Sequence, residues 1–104
     1  MTACGRYVTG PHGFLVNPVV SVEQKYRHFT GVEVAMSGCP RPAFYGAYHH
    51  TEVLSPKGVL RAGPRHYTNA AGPMCEGWDM LTAVGKPRLL PKSIQVGDIM
   101  VTFN

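Results

Sequence analysis

Two residues of this sequence stand at positions that suit thiol chemistry. Cys75 follows Gly72-Pro73 and falls in the first turn of a predicted helix, where unpaired N–H groups and the helix dipole favour a thiolate. His28 lies on a predicted strand and could supply the imidazole of a thiolate–imidazolium pair, which is an activated nucleophile. From spacing alone, a buried cysteine that acts as a small hydrophobe is the more common arrangement.

A pair of adjacent histidines extends this candidate site. His49 and His50 lie on a second predicted strand, and neighbouring side chains alternate across a strand, so one of the two faces the same side as His28. That imidazole would orient or assist His28, as the third member of a catalytic triad does. A lone histidine on a strand is more often structural than catalytic, so both interpretations of His28 stay open.

A small basic cluster forms a separate candidate site. Lys57, Arg61 and Arg65 lie close together in the sequence, and His66 and Tyr67 follow directly. Basic side chains contact phosphates and aromatic rings stack on bases, so the cluster predicts weak nucleic-acid binding with little sequence preference. The alternative is a solvated surface, which fits the modest formal net charge of +4.

The elements that must position these residues are short, because 12 Gly and 9 Pro interrupt the sequence. Alternating side chains predict one or two strands at residues 19–36 and single strands at 43–54 and 93–103, the last bending at Gly97-Asp98 and lying in the interior of an antiparallel sheet. Residues 38–42 and 55–58 are predicted turns, residues 59–61 a short returning strand, and residues 1–18 a loop. A helix is predicted over residues 74–85, since Met74, Trp78 and Leu81 share one face and Gly85 suits its end.

The composition sets the broad class of the protein. The 104 residues, 44% hydrophobic and 15% charged, predict one folded domain over residues 1–104 and exclude disorder. No run of about 20 apolar residues is present, so we expect no stable membrane insertion. The 3 cysteines are an odd number without CxxC spacing, which argues against a disulfide framework or a zinc site. We therefore expect a reducing compartment, no metal and no cofactor.

Short motifs in the sequence resemble those of the H-box/NC proteins, which include lecithin retinol acyltransferase-like enzymes and some picornaviral 2A proteins. Tyr26-Arg27-His28-Phe29 resembles the H-box, and Cys75-Glu76 resembles the NC box that opens a helix. Gly97-Asp98 resembles a strand that precedes the H-box in cellular members. Its place after the H-box here implies a circular permutation, most similar to 2A proteins of the kobuvirus kind.

The resemblance implies both a fold and a function. The fold would be α+β, a circularly permuted NlpC/papain-like domain with a small antiparallel sheet and a Cys-bearing helix. The function would be that of a viral 2A-type protein in genome replication, in the host cell cytoplasm, with host proteins and viral RNA as partners. Catalysis would be inefficient, since Met74 replaces the Asn of the NC box and the second histidine is displaced along the chain. The alternatives are a thiol-dependent acyltransferase or phospholipase A-like hydrolase that uses Cys75 and His28, and a small phage or virion structural protein.

Overall fold

The computed structural model describes residues 3–74, 77–83 and 85–103, and its main feature is a six-stranded mixed sheet. The strand order is β3-β6-β1-β2-β4-β5, and all neighbours are antiparallel except the parallel pair β2 and β4. Two short helices and one 3-10 turn accompany the sheet. In chain order the elements are α1 (Gly5–Thr9), the 3-10 turn (Gly10–His12), β1 (Phe14–Gln24), β2 (His28–Val32), α2 (Arg41–Tyr45), β3 (Thr51–Leu54), β4 (Arg65–Ala71), β5 (Arg88–Pro91) and β6 (Ile99–Phe103).

Strand β1 is the longest and joins the two halves of the sheet. Its first half pairs with β6 and its second half pairs with β2, and a register shift between Val19 and Ser21 separates the two ladders. Gly31 lies opposite Ser21 in β2, and a Cβ at position 31 would overlap the Ser21 hydroxyl. The close approach at this bulge therefore favours a glycine, since any larger residue would displace the Ser21 hydroxyl.

The core lies on the concave side of the sheet, which curls until its two edge strands approach each other. The core side chains are Val19, Val32, Val53, Ala70, Leu81, Leu90, Ile94 and Met100. Strands β3 and β5, at opposite ends of the strand order, are in contact, and Arg65 of β4 lies 3.5 Å from the Glu52 carboxylate of β3. The fold is therefore sheet-dominated and barrel-like.

This architecture contradicts the predicted α+β fold with a Cys-bearing helix. In the described part of residues 74–85 there is no helix: Leu81 N–H donates to the Ala70 carbonyl, and Met80 bridges to Ala71. Met74 and Trp78 are exposed, so their spacing with Leu81 does not mark a buried stripe. The segment instead pairs with the end of β4, which satisfies its backbone groups without a helix.

The expectations for the first half of the chain are partly confirmed. The alternation in residues 19–36 is confirmed as part of a hairpin, but β1 begins at Phe14, so a loop up to Pro18 is wrong. Only Thr51–Leu54 of the predicted strand 43–54 is extended. Arg41–Tyr45 forms helix α2 instead, with proline in its first turn and Gly46 at φ 62° closing it.

The expectations for the second half of the chain are confirmed at two places. Gly58 N–H donates to the Ser55 carbonyl at 2.8 Å, which closes the predicted turn at 55–58. Strand β6 lies in the interior of the sheet, antiparallel to both β3 and β1, after a bend in which Gly97 has φ 94°. No helix in the described residues is long and apolar enough to cross a membrane. That residues 1–104 form one independent domain stays a prediction.

Candidate functional site

A buried carboxylate joins two loops at one end of the barrel. The parallel strands β2 and β4 end at the same edge of the sheet, and a loop follows each of them. Asp79, only 2% exposed, accepts the Met36 N–H at 2.5 Å through Oδ1 and the Met74 N–H at 2.7 Å through Oδ2. Gly72 packs so closely on this carboxylate that a Cβ would overlap it. Asp79 thus fixes both loops in one place, which we call the loop cluster.

Helix α2 begins directly after the first of these loops and presents Arg41. The Arg41 guanidinium lies 3.3 Å from His49 Nε2, and His49 Nδ1 lies 3.0 Å from the Phe103 carbonyl oxygen. His49 is buried, at 7% exposure, while Arg41 is half-buried. None of the ion pairs between described residues includes Arg41. Within the described part of the chain, Arg41 is therefore a cation without a carboxylate partner, and it stands where the loop that contains Met36 leads into α2.

Cys39 stands two residues before Arg41, but it is not an activated thiol. Burial raises the pKa of the Cys39 thiol, and the Arg41 charge and backbone N–H offset that effect only in part. Cys39 also borders a cavity of about 310 Å³ whose other walls include Leu15 and Thr102. Its role near neutral pH is that of a half-buried hydrophobe.

The predicted His28–Cys75 pair stays a prediction, because Cys75 lies outside the described residues. His28 stacks on His66 with ring centroids 4.1 Å apart at the beginning of β2. The loop cluster, to which Met74 belongs, follows the other end of that strand. Strand β2 from His28 to Val32 is four residue steps of extended chain, which separate His28 from the beginning of that loop by about 13 Å. Burial, followed by the charges of His28 and Lys92, lowers the pKa of His66.

The predicted histidines of the second strand have separate partners. The ring nitrogens of His49 bond to Arg41 and Phe103, so these hydrogen bonds do not orient His28. His50 lies 2.8 Å from Glu52 and 3.2 Å from the Tyr48 hydroxyl on an exposed surface. The structure therefore places His49 against Arg41 and leaves His50 on a separate, exposed surface.

The basic cluster is divided among different structural contacts. Arg61 Nε and Nη2 donate to Asp98 Oδ2 and Oδ1 at 3.0 and 2.8 Å, and Asp98 is completely buried. Arg65 pairs with Glu52, and Lys57 is exposed in the turn after β3. RNA binding by Lys57, Arg61 and Arg65 stays a prediction.

Sequence reasoning missed Arg41, Asp79 and Asp98. A signal for the two acids was present: the chain has only 6 acidic residues, and each aspartate is flanked by apolar residues. Carboxylates in such surroundings are buried only when hydrogen bonds hold them. Arg41 gave no comparable signal, because its significance depends on His49 and on a loop that is distant in sequence.

Comparison with known proteins places this geometry in a family. Residues 6–104 match the family described as pyridoxal-dependent decarboxylase, C-terminal sheet domain. The chain belongs to this family.

Curated relatives and solved structures agree with that assignment. The chain is 37% identical over 103 residues to the diaminopimelate decarboxylase of Escherichia coli, covering 93% of this chain and 24% of that protein. It is 36% identical over 99 residues to Protein TabA of Pseudomonas amygdali pv. tabaci, covering 91% of this chain and 21% of that protein. A crystal structure of a diaminopimelate decarboxylase superposes with a TM-score of 0.84 at 36% identity, covering 95% of this chain and 25% of the other. The chain thus spans about a quarter of the length of the relatives it matches.

These matches overturn the resemblance to H-box/NC and picornaviral 2A proteins. They also contradict a viral replication role, a thiol acyltransferase or phospholipase, and a virion protein. The resemblance depended on short motifs. Tyr26-Arg27 lies in the hairpin bend between β1 and β2, and the described residues 77–83, which include Trp78 and Leu81, form no helix. The predicted host cytoplasm depended on the viral assignment and has no support of its own.

The pyridoxal group named for the family does not fit the residues of this chain. Pyridoxal enzymes hold the cofactor as a Schiff base to a lysine, and burial of that amine makes it reactive. All four lysines here are solvent-exposed: Lys25, Lys57, Lys86 and Lys92. The Lys25 amine is paired with Glu23 at 2.8 Å. The chain therefore has no lysine suited to anchor the cofactor.

Proposed function

We propose that this chain is the C-terminal sheet domain of an amino-acid decarboxylase that acts on diaminopimelate, and that it contributes part of the substrate site. The cofactor would be held by a different part of the complete enzyme, since no lysine here is suited to it. The relatives support this proposal, because diaminopimelate decarboxylases of several organisms are 31–37% identical over nearly the whole chain. The structural observation that carries it is the Arg41 guanidinium, which has no carboxylate partner among residues 3–74, 77–83 and 85–103.

The chemistry of such a substrate calls for a fixed cation. Pimelate is a dicarboxylate, so decarboxylation at one end leaves a second carboxylate at the other end. A guanidinium binds a carboxylate through two parallel hydrogen bonds and remains charged at every physiological pH. Arg41 uses one terminal nitrogen for His49, and no described carboxylate pairs with its remaining N–H groups, which could therefore bind a substrate carboxylate. We assign Arg41 to the carboxylate that is retained.

The loop cluster would keep this cation in place. Asp79 holds Met36 and Met74 together, and Met36 lies in the loop that leads into α2. A misplacement of about 1 Å far from the chemistry can reduce a rate about 100-fold. The buried carboxylate therefore contributes to binding through the backbone, without touching the substrate.

The proposal is tested by placing this chain in the Escherichia coli diaminopimelate decarboxylase, in exchange for the matching quarter of that enzyme. Release of CO2 from diaminopimelate is measured with pyridoxal phosphate present. We expect turnover within about 10-fold of the parent enzyme. Arg41→Met should reduce kcat/KM by about 100-fold, since charged hydrogen bonds contribute roughly 1.5–3 kcal/mol each.

The matched control is Arg27→Met, which removes an exposed guanidinium in the hairpin bend. It should leave kcat/KM unchanged within about 2-fold, as surface substitutions usually do. A chimaera that folds and binds pyridoxal phosphate but releases no CO2 from diaminopimelate would contradict the proposed substrate. Equal losses for Arg41→Met and Arg27→Met would contradict the role given to Arg41.

A further inference from the structure

We propose that His49 is a positioning residue that sets the orientation of the Arg41 guanidinium for carboxylate binding. This inference rests on the proposed function, because Arg41 is assigned there to the substrate carboxylate. His49 would hold the flexible Arg41 side chain in a binding geometry. To do so, the buried His49 imidazole must carry its proton on one particular ring nitrogen.

The two hydrogen bonds of His49 determine where its proton lies. The Phe103 carbonyl oxygen can only accept, so Nδ1, at 3.0 Å, must donate. The Arg41 guanidinium can only donate, so Nε2, at 3.3 Å, must accept through its lone pair. Both bonds are satisfied by one state alone, which is the neutral imidazole with its proton on Nδ1.

The carbonyl that orients His49 belongs to a rigid part of the fold. Phe103 is the last residue of β6, which is paired on both sides by β1 and β3. Its own N–H donates to the His50 carbonyl at 2.8 Å, so the backbone beside His49 is bonded to β6 as well. Because His49 is buried, the ring has little freedom to turn away from Arg41.

A neutral acceptor holds an arginine without cancelling its charge. Arg61 in the same chain shows the opposite arrangement, since its Nε and one terminal nitrogen are both bound by the Asp98 carboxylate. Arg61 is thereby neutralised as part of the fold. Arg41 is restrained at one terminal nitrogen and keeps its full charge, so less side-chain entropy is lost when a carboxylate binds.

The first test uses the 104-residue chain and needs no activity. Imidazole nitrogen NMR should show His49 near neutral pH with a protonated Nδ1 and an unprotonated Nε2. The order parameter of the Arg41 side-chain N–H group should fall in His49→Phe and stay near the native value in His49→Gln. The glutamine amide can replace the ring because it carries one donor and one acceptor. A proton on Nε2, or an Arg41 that is equally mobile in all three proteins, would overturn the inference.

The second test uses the chimaeric decarboxylase. His49→Phe should raise KM for diaminopimelate about 10-fold with kcat changed less than about 3-fold, and His49→Gln should restore KM. The control His50→Phe alters the neighbouring exposed imidazole and should leave KM unchanged. A merely structural role would instead reduce kcat through loss of folded enzyme at constant KM, and that result would overturn the inference.

The two tests separate this inference from the proposed function. An inactive chimaera with native His49 would refute the proposed function, and the NMR result would still decide whether His49 positions Arg41. An active chimaera in which His49→Phe leaves KM unchanged would refute the positioning role alone. If His49→Phe does not fold, His49→Gln and the protonation state of the native chain decide the question.

Discussion

Replacement of Asp79 by alanine should destabilise the protein severely, because this carboxylate is buried and satisfies two backbone donors. Its oxygens accept the Met36 and Met74 N–H groups at 2.5 and 2.7 Å, and the residue is 2% exposed. Each buried donor left without a partner costs about 1–3 kcal/mol. With both donors affected, we expect a loss of about 3–5 kcal/mol in the free energy of unfolding. That is a large share of the roughly 5–15 kcal/mol typical of a domain.

The assay is urea unfolding of the 104-residue chain, followed by a thermal scan. Near this chain length, about 1 kcal/mol corresponds to roughly 4 °C in Tm, so Asp79→Ala should lower Tm by about 12–20 °C. Asp79→Asn keeps one acceptor and should lose about half as much. Glu33→Ala, at an exposed acidic residue, is the control and should change stability by less than about 0.5 kcal/mol. A loss below about 1 kcal/mol for Asp79→Ala would refute the role given to this carboxylate.

Further predictions concern the bulge and the paired histidines. Gly31→Ala should cost about 1–3 kcal/mol through overlap with the Ser21 hydroxyl, and the double variant with Ser21→Gly should recover most of that loss in urea unfolding. The pKa of His66 is lowered in the folded state, so the unfolded chain binds more protons in this range. Stability should therefore fall as pH decreases from about 6.5 through the folded pKa, and His66→Gln should flatten that dependence. His28→Gln removes one of the neighbouring charges and should raise the pKa of His66 in an NMR titration. An unchanged pKa would contradict the charge interaction between the two rings.

Much of the strand structure could be predicted because it depends on local patterns. The turn at residues 55–58 and strand β6 follow from turn residues and from the alternation in Ile99, Val101 and Phe103. The helix prediction for residues 74–85 failed because a helical spacing also arises by chance: of Met74, Trp78 and Leu81, only Leu81 is buried. Its real structure depends on Asp79 and on the end of β4, and neither contact is visible in a local window.

The candidate site was predictable only in part, since its members come from distant segments. His49 was singled out, but as a partner for His28, whereas its partners are Arg41 and Phe103. The latter lies 54 positions further along the chain. Such pairings follow from strand order, and the order of a mixed sheet is not contained in the alternation of its strands. The family resemblance failed for a related reason: motifs of three or four residues recur without a shared fold.

The place of β6 in the sheet has a consequence for how the chain folds. This strand, the last along the described chain, lies between β3 and β1. The ladder of β3 and the ladder of the first half of β1 therefore cannot form before residues 99–103 are present. Until then β1 exposes an unpaired edge next to its apolar side chains Phe14 and Val16. Pairing over such long sequence separations is slow, because the entropy of closing the loop is lost before the contacts are gained. On a ribosome, the half-made sheet is therefore the state most exposed to aggregation, and arrival of β6 ends that exposure on both sides at once.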